Sequence, residues 1–96
     1  MGAAKAALEN ICRSMATELA VFGIRTNVIQ ASVTETPSFK MIPGNEKIKE
    51  ETLKRNPFKR LTTTEDVANA IYLLCTDEAA WINGAILHVD GGEHCC

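Results

Sequence analysis

The sequence predicts an α/β fold in which helices alternate with strands of a parallel sheet. Two observations carry this prediction. A helix pattern over residues 2–21 is followed within two residues by a β-rich segment, and a second helix pattern from Thr63 is followed by another such segment at residues 85–89. Strands that alternate with helices need crossover connections, and those are typical of parallel sheets.

The first helix is predicted from apolar residues that recur at intervals of three and four. Gly23 is expected to end it, and residues 24–31 contain Val28 and Ile29 directly after this stop, which indicates a short strand. The apolar stripe of the helix is expected to be buried, and its members are Leu8, Ile11, Cys12, Met15, Leu19 and Phe22.

Residues 37–58 are predicted to be an insertion that acts as a substrate lid. Pro37, Pro43 and Pro57 bracket this segment, and the charged stretch at residues 45–55 is expected to form a short amphipathic helix. Long insertions in compact domains are often lids over active sites.

The last helix has clear signals at its N-terminus. Thr63 can cap it, and Glu65 and Asp66 suit the positive end of the helix dipole. The helix is expected to end near residues 76–77, and Asn83-Gly84 then turns the chain into the last strand. The predicted buried stripe consists of Val67, Ala70, Ile71 and Leu74.

Composition and charge exclude several classes of protein. The chain has 96 residues, of which 46% are hydrophobic and 23% charged, with a formal net charge of −2. This balance argues against nucleic acid or an acidic membrane surface as a partner. No apolar run approaches the roughly 20 residues that span a bilayer, and no signal peptide is recognisable, so a soluble cytoplasmic protein is expected.

Neither the cysteines nor the histidines predict a metal or redox site. Cys12 and Cys75 fall on predicted helix faces and are expected to be small buried residues, while the adjacent cysteines at 95–96 are expected to form a loose tail. His88 and His94 have no partners at the spacing of zinc ligands. No metal is therefore expected.

Five segments, in order, resemble motifs of the short-chain dehydrogenase/reductases. The first resembles the second half of that family's Tyr-x-x-x-Lys-Ala-Ala-Leu helix and the second its Gly-Ile-Arg-Val-Asn strand. The third occupies the position of its Pro-Gly-x-x-x-Thr turn, although Ala31 and Ser32 replace the Pro-Gly pair. The last two resemble the start of its penultimate helix and its closing strand. The five segments are residues 1–9, 22–29, 31–37, 60–68 and 81–92.

This resemblance implies the C-terminal part of a Rossmann-like doubly wound parallel sheet, with residues 1–96 belonging to one domain of that family. Members of the family are NAD(P)-dependent oxidoreductases, so NAD or NADP is the implied cofactor. The sequence contains no glycine-rich turn for the pyrophosphate. The N-terminal cofactor-binding half is therefore expected to lie outside this chain.

Lys5 stands at the position of the family's lysine, which contacts the nicotinamide ribose and lowers the pKa of the catalytic tyrosine. The resemblance thus implies a catalytic and a cofactor-binding role for Lys5. Two registers of the tyrosine stay open. In one, Met1 stands where the tyrosine should be. In the other, that of the enoyl-thioester reductases, the tyrosine lies three positions before Met1, and the match to their Met-Gly-x-Ala-Lys-Ala-x-Leu-Glu helix favours this register.

The resemblance also implies roles for residues that follow the first strand. Thr36 matches the family threonine that faces the nicotinamide and pyrophosphate of the cofactor, and Thr34 and Ala31 are expected to add cofactor contacts. The alternative is turn chemistry, since threonine before proline is common in extended loops. Three apolar residues of the lid suit a hydrophobic substrate as well as they suit a small local core: Phe39, Met41 and Ile42.

Two hypotheses of function follow. In the first, the chain is part of an oxidoreductase that reduces a carbonyl or enoyl group of an acyl thioester and assembles as a homo-oligomer. The implied relatives are the 3-oxoacyl- and enoyl-[acyl-carrier-protein] reductases of fatty acid biosynthesis. In the second hypothesis, the chain is a catalytically inactive truncated fragment that acts only as an assembly or interaction piece.

Trp81 is expected at a sheet edge or a subunit contact.

Overall fold

The computed structural model describes residues 2–96, so both interpretations of Met1 fall outside the described residues. Residues 2–96 form four helices and two strands, with short 3₁₀ turns at Ala20–Phe22, Asp77–Ala79 and Glu93–Cys95. In chain order these elements are α1 (Gly2–Glu18), β1 (Val28–Ala31), α2 (Pro37–Lys40), α3 (Asn45–Arg55), α4 (Thr64–Leu74) and β2 (Ile86–Val89).

The two strands pair in parallel, as the alternation of helices and strands predicts. The register runs from Val28 opposite Ile86 to Ala31 opposite Val89, and α4 packs against both strands. The carboxyl ends of β1 and β2 therefore meet at one edge of the sheet. Beyond that edge, Thr34 forms an isolated parallel bridge with Thr62, which lies just before α4.

The first strand begins later than its sequence suggests, at Val28 rather than at residue 24. Residues 24–27 do not enter the ladder, because the backbone groups of Thr26 bond to the turn at residues 83–84 instead. The Thr26 N–H donates to Asn83 Oδ1 at 2.9 Å, and the Thr26 carbonyl accepts from the Gly84 N–H at 2.7 Å. The pairing with β2 can start only after this polar junction.

Arg25 and Asn27 hold the loop before β2 against β1. The Arg25 guanidinium donates to the carbonyls of Leu74 and Ala79 at 2.8 and 3.0 Å, and so closes the C-terminal end of α4. Asn27 donates to the Ile82 carbonyl and accepts from the Ala85 N–H. These charge-assisted and amide hydrogen bonds satisfy backbone groups that the short sheet leaves unpaired.

The predicted buried stripe of α1 is largely wrong. Cys12 and Ala16 are buried, but Leu8, Ile11 and Met15 are exposed, and Phe22 is 73% exposed. A two-stranded sheet is too narrow to cover an apolar stripe along a helix of 17 residues. An apolar face without a second layer stays in contact with solvent.

Two further burial predictions also fail. Ala70 of α4 is buried, whereas Ile71 of the same predicted stripe is half exposed, and Cys75 is exposed rather than buried. Trp81 is 98% exposed, so it does not pack at the edge of this sheet, and the alternative of a subunit contact stays a prediction. These residues lie on the side of α4 and its following turn that no other element of the described chain covers.

The N-terminus of α4 is fixed as predicted, by a complete capping box. Thr63 Oγ1 accepts from the Asp66 N–H at 3.1 Å, and Asp66 accepts from the Thr63 N–H at 2.8 Å. A hydrogen bond from Arg60, together with that of Thr63, holds the pKa of the Asp66 carboxyl well below its usual range. The stabilising contribution of the ionised Asp66 carboxylate is therefore present above the ordinary carboxyl pKa and declines as the pH falls below it.

No helix among residues 2–96 is long and apolar enough to cross a membrane.

We expect Thr63→Ala to lower the free energy of unfolding by about 1 kcal/mol, because it removes the hydroxyl that caps the Asp66 N–H. Thr64→Ala is the matched control, since Thr64 is an exposed neighbour within the helix. Urea unfolding followed by circular dichroism compares the two. Equal midpoints for both variants would show that the capping box does not stabilise the chain.

Candidate functional site

Lys5 and Ala31 lie at the same small cavity. It has a volume of about 130 Å³ and is bounded by the first turns of α1 and by the whole of β1. Leu8 and Glu9 complete its helix side. The parallel sheet explains the placement, because α1 runs back along β1 and brings its N-terminal turns to the strand's carboxyl end. Two residues that are distant in sequence are thus brought together, and their roles towards a cofactor remain predictions.

The ammonium of Lys5 is available to a ligand. Its side chain is exposed, and within residues 2–96 no carboxylate pairs with it. A cation in this position can hold a hydroxyl or an anion at the carboxyl edge of the sheet, which is where open α/β sheets bind their ligands.

Thr34 and Thr36 make turn contacts. Thr36 Oγ1 accepts from the Phe39 N–H at 3.1 Å and so caps α2, while the Thr34 hydroxyl donates to the Ser32 carbonyl at 2.9 Å. Neither residue lines the cavity of Lys5. Both hydroxyls therefore make local turn hydrogen bonds, as the alternative interpretation predicts. The roles of Thr34 and Thr36 towards a cofactor remain predictions.

The three apolar residues assigned to the substrate do not form one surface. Phe39 is half-buried beside a cavity of about 350 Å³ that is otherwise lined by charged and polar residues of the lid segment. Met41 is 84% exposed, and Ile42 is also exposed. An apolar substrate groove is not assembled by residues 2–96 alone, and the substrate roles of these residues remain predictions.

A further cavity was not predicted from the sequence. It has a volume of about 400 Å³ and lies between α4, β2 and the segment that follows α3. Arg60 and Asp66 form an ion pair at its wall, with 2.7 Å between Nη1 and Oδ2. His88, Asp90 and the turn at 91–92 line it as well.

His88 and His94 are neighbours in space, which corrects the expectation that they have no partners. Their rings stack with centroids 3.8 Å apart, and Nδ1 of His94 lies 2.9 Å from Oδ2 of Asp90. Residues two positions apart on a strand point to the same face, so His88 and Asp90 lie on one side of it. The turn at 91–92 then reverses the chain and brings His94 back to them. The alternation of His88 and Asp90 before two glycines is the signal that could have predicted this cluster.

Two acidic groups fix the turn after β2. Burial opposes the ionisation of Asp90 and Glu93, but hydrogen bonds outweigh it and hold the pKa of each carboxyl below its ordinary value. Asp90 accepts from the N–H groups of Gly92 and His94. Glu93 accepts from the Ser32 hydroxyl at 2.6 Å and pairs with Arg55, so it connects this turn to β1 and α3.

The comparisons with known proteins point to one family. The sequence profile described as Enoyl-(Acyl carrier protein) reductase matches residues 1–94. The chain is 43% identical over 94 residues to the NADH-dependent enoyl-[acyl-carrier-protein] reductase of Aquifex aeolicus, covering 98% of this chain and 35% of that protein. It is 40% identical over 90 residues to the cis-4-hydroxycyclohexanecarboxylate dehydrogenase of Sinomonas cyclohexanicum, covering 94% and 35%.

A solved structure agrees with this result. The crystal structure of the Aquifex aeolicus enoyl reductase superposes with a TM-score of 0.89 at 41% identity, covering 99% of this chain and 37% of that one. The fold and the sequence together define part of an α/β domain of the short-chain dehydrogenase/reductases. The chain belongs to this family, and within it to the group described as enoyl-(acyl carrier protein) reductases. It spans about a third of the length of the curated relatives it matches.

The described residues fit only one end of a nicotinamide cofactor. Lys5 and Ala31 offer a cation and backbone at the carboxyl edge of β1, but their cavity of about 130 Å³ is far smaller than the roughly 300 Å³ or more of a typical ligand site. The glycine-rich turn for the pyrophosphate is absent from the sequence.

We therefore expect the 96-residue chain to bind NADH or NADPH weakly or not at all. Isothermal titration calorimetry measures the affinity, and Lys5→Met serves as the matched variant for any residual binding. Saturable binding in the micromolar range would contradict this prediction.

Proposed function

We propose that the chain is the part of an NAD(P)-dependent reductase that carries the active-site lysine. The observation that carries this proposal is the shared cavity of Lys5 and Ala31 at the carboxyl edge of β1. The motifs around both residues match those of a family whose members act as oxidoreductases. We propose that this reductase is a cytoplasmic enzyme.

We further propose that the substrate is an acyl thioester, reduced at an enoyl or a carbonyl group. The relatives named as enoyl-[acyl-carrier-protein] reductases from Aquifex aeolicus and Escherichia coli support the enoyl reaction and NADH as the reductant. In this proposal residues 37–58 form the lid, and Phe39, Met41 and Ile42 contact the acyl chain once the rest of the protein closes the groove. Thr34 and Thr36 then position cofactor through their backbone.

Lys5 has two tasks in this mechanism. Its ammonium holds the ribose hydroxyls of the nicotinamide nucleotide, which supplies the hydride when it is bound. Its positive charge also favours the ionised form of a neighbouring tyrosine, so that this hydroxyl gives up its proton more readily to the reduced substrate. The tyrosine itself must come from outside residues 2–96, because Tyr72 is on α4 and does not line the cavity of Lys5.

We expect Lys5→Met in the full-length protein to reduce turnover by on the order of a hundredfold or more, because positioning and proton transfer are both impaired. An exposed residue in the first turn of α1 contributes little to packing, so the free energy of unfolding should change by less than about 1 kcal/mol. Steady-state kinetics and thermal melting on the same variant measure the two effects.

Arg13→Met is the matched control, since Arg13 is an exposed cation of α1 outside the Lys5 cavity. It should leave turnover and melting unchanged. Near-normal activity of Lys5→Met would show that Lys5 is a solvated surface lysine with no part in the reaction.

A second candidate function is assembly through apolar surface, and one observation favours it. Large apolar side chains on α4 and the turn after it are exposed: Ile71, Tyr72, Leu73 and Trp81. Exposed large apolar residues in such number on one element mark interaction sites or drive association. We propose that this exposed surface of α4 and the turn after it, here called the α4 face, packs against another copy of the protein in a homo-oligomer.

We expect the 96-residue chain to self-associate, and Tyr72→Glu to shift it towards the monomer by placing a charge in the α4 face. Ser38→Glu adds the same charge at an exposed position of α2 and should have no effect. Sedimentation velocity across a range of concentrations resolves the species. A stable monomer at all concentrations would rule out the association.

A further inference from the structure

The residues at the end of β2 form a compact set of metal-ligand types. His88, Asp90 and His94 each offer a ligand atom, and these three atoms lie within 4.8 Å of one another. His88 and the edge of the His94 ring are open to solvent, whereas the Asp90 carboxylate is buried beneath them. An ion can therefore reach the set without any opening of the fold.

The backbone between these residues is already fixed. Gly91 and Gly92 adopt left-handed conformations, with φ of 63° and 87°, which let the chain turn back within two residues. Asp90 Oδ1 accepts from the Gly92 N–H at 3.0 Å, and Oδ2 accepts from the His94 N–H at 3.1 Å. Much of the entropy cost of gathering the ligands is thus met by folding itself.

The separations suit a tetrahedral ion. Ligand bonds of about 2.0–2.1 Å to nitrogen and oxygen require neighbouring ligand atoms to be about 3.3 Å apart. Asp90 Oδ2 and His94 Nδ1, at 2.9 Å, are already close to this separation. Only the exposed His88 ring must turn from its stack on His94, since two stacked rings cannot point their nitrogens at one ion.

We propose that His88, Asp90 and His94 bind one zinc ion. Two imidazoles and a carboxylate are the ligands of a borderline divalent ion such as Zn²⁺, whereas Mg²⁺ and Ca²⁺ prefer sites built of oxygen alone. The fourth position of the ion is then open to water, as in sites that bind zinc through three protein ligands. The nearest part of the 400 Å³ cavity then opens onto the ion.

This site is independent of the proposed reductase activity. Lys5 and Ala31 line a different cavity, and none of the three ligands belongs to it. All three ligands lie within residues 88–94, so they are present whether or not the chain reduces any substrate.

The experiment measures zinc binding in the 96-residue chain with Cys95 and Cys96 changed to serine, so that the adjacent thiols cannot bind the ion by themselves. Competition with a chromophoric chelator gives the affinity and stoichiometry. We expect one zinc ion per chain, with His88→Gln and His94→Gln each weakening the binding by at least about tenfold, since even partners behind the ligands contribute that much. Asp77→Asn is the control, as Asp77 is an exposed acid outside the set.

A second measurement does not depend on any histidine variant. The chain has only two histidines, so its imidazole proton signals are two in number and both should shift on addition of Zn²⁺. Mg²⁺ should leave both unmoved. His88 is an exposed strand residue, and circular dichroism checks that its variant keeps the fold. Absence of saturable zinc binding, equal affinity after His88→Gln, or unmoved histidine signals would each overturn the proposal.

Discussion

The polar junction between residues 25–27 and 79–85 is the interaction on which the rest of the structure depends. Two parallel strands of four residues each cannot hold together through their ladder alone. Arg25, Asn27 and Asn83 supply the missing connections by bonding to carbonyls and N–H groups of the opposite segment. The Asn83 amide also donates to the Ala16 carbonyl, which ties α1 to the same junction.

This junction decides what the carboxyl edge of the sheet presents. With α1 anchored at its C-terminal end, its first turns lie beside β1, and Lys5 reaches the small cavity that Ala31 also lines. At the same edge, Glu93 and the buried Asn56 bind the turn after β2 to β1 and α3. A lysine on a helix beside a strand end has a fixed position that a loop would not provide.

The exposed apolar surface has a related cause. α1 and α4 each carry apolar residues on more than one face, but the two-stranded sheet covers only the small residues Cys12, Ala16 and Ala70 well. The chain spans about a third of its curated relatives' length, so further layers of such a domain are the natural cover for the rest. The apolar residues that remain open are therefore consistent with both the reductase and the assembly proposals.

Local signals in the sequence determined the elements themselves. The span of α3 and the cap at Thr63 follow from signals within a few residues along the chain, and the structure confirms them. The burial of side chains could not be predicted from these local signals, because whether Ile11 or Ile71 is covered depends on how many strands lie beneath its helix. The histidine cluster also required the tertiary structure: its members are ordinary residues in sequence, and only the left-handed turn at 91–92 brings their rings together.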